Sequence, residues 1–157
     1  MVYLIDGYNV IGQSSKICLA DKDKEQQLIA QIESFFLLTN HTCHLIFDGK
    51  SKDFNHQSKF LKGQISVVFT DAFQTADEYI IHFVETSLHC DAIKLVTSDK
   101  GIWQKCKQKK IKMIDSVAFL KHIAFIQHQQ HCLLQQNHVK PQVISDVDYW
   151  LNQFQSS

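Results

Sequence analysis

Val2-Tyr3-Leu4-Ile5-Asp6-Gly7-Tyr8-Asn9-Val10-Ile11-Gly12 opens the chain, and its reading decides the fold. Four apolar residues run into an aspartate and a glycine, the pattern of a buried strand that stops at a turn. Two later stretches repeat it: Cys43 to Asp48, closed by Gly49, and Ile93 to Thr97, followed by Ser98 and Asp99. Further strands are expected at Ile65–Thr70 and Ile111–Ile114. Between them lie helical patterns: Asp23 to Asn40, with Leu28, Ile29, Ile32, Phe35, Phe36 and Leu38 on one face, and a helix starting at Thr75. Thr75-Ala76-Asp77-Glu78 fits a capping box. A long helix is expected from Ser116 and a last one over Val143–Phe154. Residues 50–63 read as a polar loop. Strands alternating with helices imply a parallel sheet covered on both faces, an α/β sandwich of three layers with added C-terminal helices.

The 157 residues suit one domain. The organisation expected is a core domain over 1–125 with a helical extension over 126–157 packed on it. Apolar residues make up 45% and charged residues 20%, an ordinary globular composition. No apolar run reaches the roughly 18 residues that span a bilayer, and the start lacks a basic leader, so a cytoplasmic protein without membrane contact is expected. The five cysteines form no CxxC pair, which gives no sign of a zinc ribbon or a redox motif. No Walker loop or GxGxxG occurs, so no organic cofactor is expected.

Asp6, Asp48, Asp77 and Asp99 stand where the strand ends of such a sheet face one crevice. Two accounts fit them. Each is a good turn former or helix cap. As a group they also suit a hard divalent cation, Mg²⁺ or Mn²⁺. Two carboxylates about 6 Å apart repel by roughly 2–3 kcal/mol at an effective dielectric near 20. Capping gains do not offset several such pairs without a cation or proton uptake.

The net charge is zero and every basic residue is lysine. Lysine holds phosphate as a point charge but lacks the guanidinium fork that reads base edges. Lys50 and Lys52 follow Asp48, and Lys100 and Lys105 follow Asp99; all four are candidates for phosphate contact, with Lys59, Lys62, Lys107, Lys109, Lys110 and Lys112 nearby in sequence. Phe54, Phe60 and Trp103 are candidates for stacking on unpaired bases or for core packing. Among the nine histidines, His128 and Cys132 have the i, i+4 spacing that zinc uses, and His41, Cys43 and His44 are close in sequence. Without a second convincing pair, a polar helix face is the better account.

Asp6-Gly7-Tyr8-Asn9, Ile46-Phe47-Asp48-Gly49, Thr75-Ala76-Asp77-Glu78 and Val96-Thr97-Ser98-Asp99 together resemble, in order, the motifs of the NYN domains, PIN-like nucleases, and of their YacP-like branch in particular. The resemblance spans most of residues 1–120. It implies an αβα sandwich and a metal-dependent endoribonuclease acting on single-stranded RNA. It implies that Asp6, Asp77 and Asp99 are the main ligands of Mg²⁺ or Mn²⁺ and that Asp48 is a ligand or a supporting group. Asn9 and Ser98 would place the metal-bound water or the scissile phosphate, and Thr75 would orient Asp77. A non-catalytic RNA-binding or protein-interaction module retaining the fold is the alternative.

Overall fold

In the computed structural model, residues 1–49, 59–70 and 74–136 are described, with side chains to residue 133. The order is β1 (Val2–Asp6), α1 (Gly7–Gln13), α2 (Lys24–Thr39), β2 (Thr42–Phe47), β3 (Lys59–Lys62), β4 (Ile65–Phe69), α3 (Ala76–Thr86), β5 (Ile93–Val96), α4 (Lys100–Cys106), β6 (Lys112–Ile114) and α5 (Ser116–Gln136). The expected helix over Val143–Phe154 lies outside the described residues.

The six strands form one sheet in the order β3-β4-β2-β1-β5-β6. Five are parallel, and β1 lies between β2 and β5. From β1 the chain builds outward through β2 to β4, then returns to add β5 and β6 on the other side. That reversal is a topological switch point, where a crevice opens beyond the carboxyl ends of the strands.

The sheet departs from the parallel expectation at one edge. Residues 59–62, read as part of a loop, form β3, which pairs antiparallel with β4. The Gly63–Gln64 turn joins them, and Gly63 takes a left-handed φ of 59° that suits glycine. Leu61 points outward at 76% exposure, whereas Phe60 packs on the core and stacks on Phe69. Two lysines in four residues hid a short edge strand of the kind that stays polar to avoid further pairing.

Helices α1, α2 and α5 cover one face of the sheet, and α3 and α4 cover the other. On the first face Tyr3, Phe35, Phe36 and Phe119 meet largely edge to face, with centroids 5.0–6.0 Å apart, the geometry that aromatic quadrupoles favour. Gln127 ties α5 to α2 by donating to the carbonyl of Gln31 and to Ser34 Oγ, both at 2.9 Å. On the second face Ile80, Val84, Ile102 and Cys106 pack on Leu4, Ile46 and Leu95. Central strands β4 and β5 are buried at every position, as two covered faces require.

Candidate active site

β1 passes into α1 with no loop, so Asp6 is both the last strand residue and the cap of α1. Its Oδ1 accepts from Asn9 N–H at 3.2 Å and its Oδ2 from Thr97 Oγ1 at 3.3 Å. Gly7 allows this junction. A Cβ there would overlap the Phe47 ring and sit 2.9 Å from the carbonyl oxygen of Ile46, closer than real side chains approach.

Asp48 follows β2. Its Oδ1 accepts from Thr70 Oγ1 at 3.0 Å and from Ala76 N–H at 3.2 Å. It thus helps satisfy the first turn of α3, whose N–H groups have no partners within the helix. Thr75 caps α3 as expected, and the box is closed by Glu78: Thr75 Oγ1 accepts from Glu78 N–H at 3.2 Å, and Glu78 Oε2 accepts from Thr75 N–H at 3.0 Å. Asp77 is the next residue but one after the cap. Asp99 caps α4, its Oδ1 accepting from Gly101 N–H at 2.6 Å and Ile102 N–H at 3.3 Å.

Capping therefore occurs, and it does not remove the mutual repulsion. Asp6 is only 9% exposed. Burial pushes its carboxyl up to about 6; the charges of Asp77 and Asp99 add to the rise, and the bonds from Asn9 and Thr97 oppose it. Burial also raises Asp77, helped by Asp99, Asp48 and Glu78, while Lys105 pulls it back. The four aspartates share one electrostatic field. They do not form a closed cage: among the described residues, no three His, Cys, Asp or Glu side chains converge tightly enough to hold an ion as they stand.

Of the lysines proposed to touch phosphate, Lys105 acts on Asp77 and Lys100 is exposed at the start of α4. Lys50, Lys52 and Phe54 lie outside the described residues. Trp103 donates from Nε1 to the carbonyl of Thr97 at 2.8 Å and so braces the turn before Asp99.

Asn9 and Ser98 belong to a hydrogen-bond network that also includes Asp115 and Ser116. Asn9 Oδ1 accepts from Ser98 N–H and from Ser116 Oγ, each at 2.8 Å. Ser98 Oγ donates to Asp115 Oδ2 at 2.7 Å and accepts from Ser116 N–H at 3.1 Å. Thr97, Asp115 and Ser116 were given no role by the sequence. Thr97 stood inside a quoted motif, and Asp115-Ser116 before an apolar run has the form of a helix cap.

The histidines take other places. His41 stacks on Tyr3 and His44 packs on Phe83. His128 Nδ1 lies 3.7 Å from Cys132 Sγ, so the spacing does bring that pair together, but with no third ligand among the described residues.

Residues 3–151 match the sequence model of the YacP-like NYN domain. The chain belongs to the YacP-like NYN family. Its backbone is similar to the crystal structure of Rae1 (YacP) from Bacillus subtilis, with a TM-score of 0.71 and 20% identity over 87% of this chain and 80% of that one. The W164L mutant of the same protein gives 0.68 and 19%, over 86% and 82%. No curated protein matches the sequence. At such identities the likeness concerns the fold, and this YacP-like NYN chain has the PIN-like, nuclease-type architecture. No described helix is long and apolar enough to cross a membrane.

Proposed function

We propose that this YacP-like NYN protein is an Mg²⁺- or Mn²⁺-dependent endoribonuclease that hydrolyses single-stranded RNA in the cytoplasm. One observation carries the reading: carboxylates from separate turns act on one another at the switch point of the sheet, and the charges of Asp77 and Asp99 add to the burial that raises Asp6 to about 6. A site that keeps this repulsion is suited to a dipositive partner. The donor set fits a hard cation, since every candidate ligand is a carboxylate oxygen. Magnesium in particular keeps several waters and needs only one or two direct carboxylates, which accommodates acids that do not close into a cage.

Asp6, Asp77 and Asp99 would hold the ion, and Asp48 would ligate it or steady Ala76 at the start of α3. When bound, such an ion neutralises a phosphodiester and lowers the pKa of a coordinated water, so that hydroxide is available near neutrality. Asp6 must give up its proton before it can ligate. Lys105, whose charge acts on Asp77, and Lys100, at the start of the helix that Asp99 caps, would meet a phosphate backbone, and Lys50 and Lys52 would add to them. Products with 5′-phosphate and 3′-hydroxyl ends are expected. The test is cleavage of a single-stranded RNA with Mn²⁺ or Mg²⁺, its loss with EDTA, and its restoration by either ion. Activity indifferent to EDTA overturns the proposal.

A second reading, a module that binds RNA or protein without cutting, is favoured by the open spacing of the acids. RNA association in Mn²⁺ with no cleavage would establish it.

A further inference from the structure

We infer that Asp115 and Ser116 are positioning residues that set the separation between the Asp6 and Asp99 turns, acting through Asn9 and Ser98. The kinetic part of this inference rests on the nuclease reading; the structural part does not.

Asn9 links two turns. Its backbone N–H binds Asp6 Oδ1, and its side-chain oxygen binds the N–H of Ser98, the residue before Asp99. The Ser98 N–H can only donate, so the group facing it is Oδ1, and this settles which way the amide is turned. The same oxygen takes a second bond from Ser116 Oγ, 107 positions away in sequence. With both bonds in place the amide is held against rotation, and its Nδ2 keeps two donors outside this network.

Ser116 is fully buried. A helical serine hydroxyl ordinarily bonds back to its own helix or to water. This one crosses to another turn, where a buried hydroxyl needs a partner. Asp115 has two separate tasks. Oδ1 accepts from Val117 and Ala118 N–H at 2.9 and 3.3 Å and caps α5. Oδ2 takes the hydroxyl proton of Ser98. The orientation of Ser98 is thereby set: its hydroxyl proton is committed to Asp115, and its oxygen also receives Ser116 N–H. Three turns, after β1, β5 and β6, are joined into one unit. Two of them carry Asp6 and Asp99, and the third, at the edge of the sheet, carries no residue of the proposed cation site.

Two substitutions separate positioning from stability. Asp115→Asn keeps an oxygen for the helix cap but puts an N–H donor in place of Oδ2, so Ser98 must turn its hydroxyl. Asp115→Ala removes the cap as well. Ser116→Ala deletes only the bond to Asn9. We expect Ser116→Ala and Asp115→Asn to melt within a few degrees of wild type and to lose about 10- to 100-fold in kcat with KM little changed, the scale of losing a supporting contact or a fixed geometry. Asp115→Ala should lower Tm as well.

The Asn9 side-chain amide, assigned in ¹H–¹⁵N spectra by its disappearance in Asn9→Asp, should shift and broaden in Ser116→Ala. An unmoved Asn9 amide in folded Ser116→Ala overturns the inference. So does unchanged kcat in both Ser116→Ala and Asp115→Asn. If Ser116→Ala does not fold, Asp115→Asn decides through kcat and the same amide signal. If the wild-type protein cleaves no RNA, the nuclease reading fails and the Asn9 signal alone decides the positioning.

Discussion

The two ends of the same strands handle charge in opposite ways. At the carboxyl end, Asp6 is surrounded by like charge, and burial and its neighbours push its carboxyl up to about 6. Nearer the amino end, Lys94 is buried at 1% exposure beside an aromatic face. Its Nζ donates to Tyr3 Oη at 3.3 Å and lies 5.2 Å from the ring centroid, an arrangement that steadies a cation. His122, fully buried on α5, is pushed down to about 4 by burial and by Lys94. Burial favours the neutral form at both ends, in Asp6 by raising its carboxyl and in His122 by lowering its imidazole. The lower end is closed by apolar packing. The upper end lies at the switch point of the sheet, where folds of this kind open a crevice, and under the proposed reading a cation entering there would relieve the repulsion from outside.

The largest effect expected is at the upper end. Asp6→Asn and Asp99→Asn should each reduce RNA cleavage by at least about 1,000-fold, the scale of losing a group that acts in the transition state, while circular dichroism stays that of the folded protein. Cleavage persisting in both would make the upper end as purely structural as the lower. Next comes Gly7→Ala, which forces backbone and the Phe47 ring apart at the junction carrying Asp6. A loss of about 1–3 kcal/mol in denaturant titration is expected, together with loss of cleavage.

The pH dependence of stability then compares the two ends directly. A raised carboxyl binds more protons folded than unfolded, so Asp6 makes stability fall as pH rises from its ordinary value near 3.8 to about 6. A depressed imidazole does the reverse, and His122 makes stability rise as pH goes from about 4 to 6.5. Each contributes on the order of 1–3 kcal/mol, and the slopes oppose. The wild-type profile should be nearly flat over this range as far as these two groups go. Asp6→Asn should leave a rising profile and His122→Leu a falling one. Urea titrations at pH 4.5, 5.5 and 6.5 measure this, and unchanged slopes in both variants would show that neither group carries the shift assigned to it. The smallest effect is thermal. Mn²⁺ at pH 7.5 should raise the Tm of wild type by a few degrees through preferential binding to the folded state. It should do less below pH 6, where Asp6 keeps its proton, and nothing in Asp6→Asn. Lys94→Met should leave this response intact.

Much of the candidate site's local geometry could be read from the chain because the capping bonds are local. The Thr75–Glu78 box spans three residues, and Asp6, Asp99 and Asp115 cap helices through N–H groups two or three residues on. Such patterns depend little on what lies elsewhere. Capping and mutual repulsion coexist: Asp6 and Asp99 cap helices and still act, with Asp77 and Asp48, within one field of like charge. β3 was missed because its four residues carry one inward aromatic and two lysines, too little pattern to announce a strand. Asp115 and Ser116 read only as a helix start because the partners that give them further meaning lie in the turns after β1 and β5.

From the sequence alone came the alternation of strands and helices, the four acidic turns and the helix caps, all products of spacing within a few residues. The tertiary structure alone decided the strand order that puts β1 beside β5, the antiparallel edge, the burial and shared field that raise Asp6, and the bonds joining Asn9 to Ser98 and Ser116 across 89 and 107 positions. The physical reason is range. Periodicity and capping act between near neighbours in the chain, whereas burial and Coulomb coupling depend on distances that exist only once the sheet has assembled.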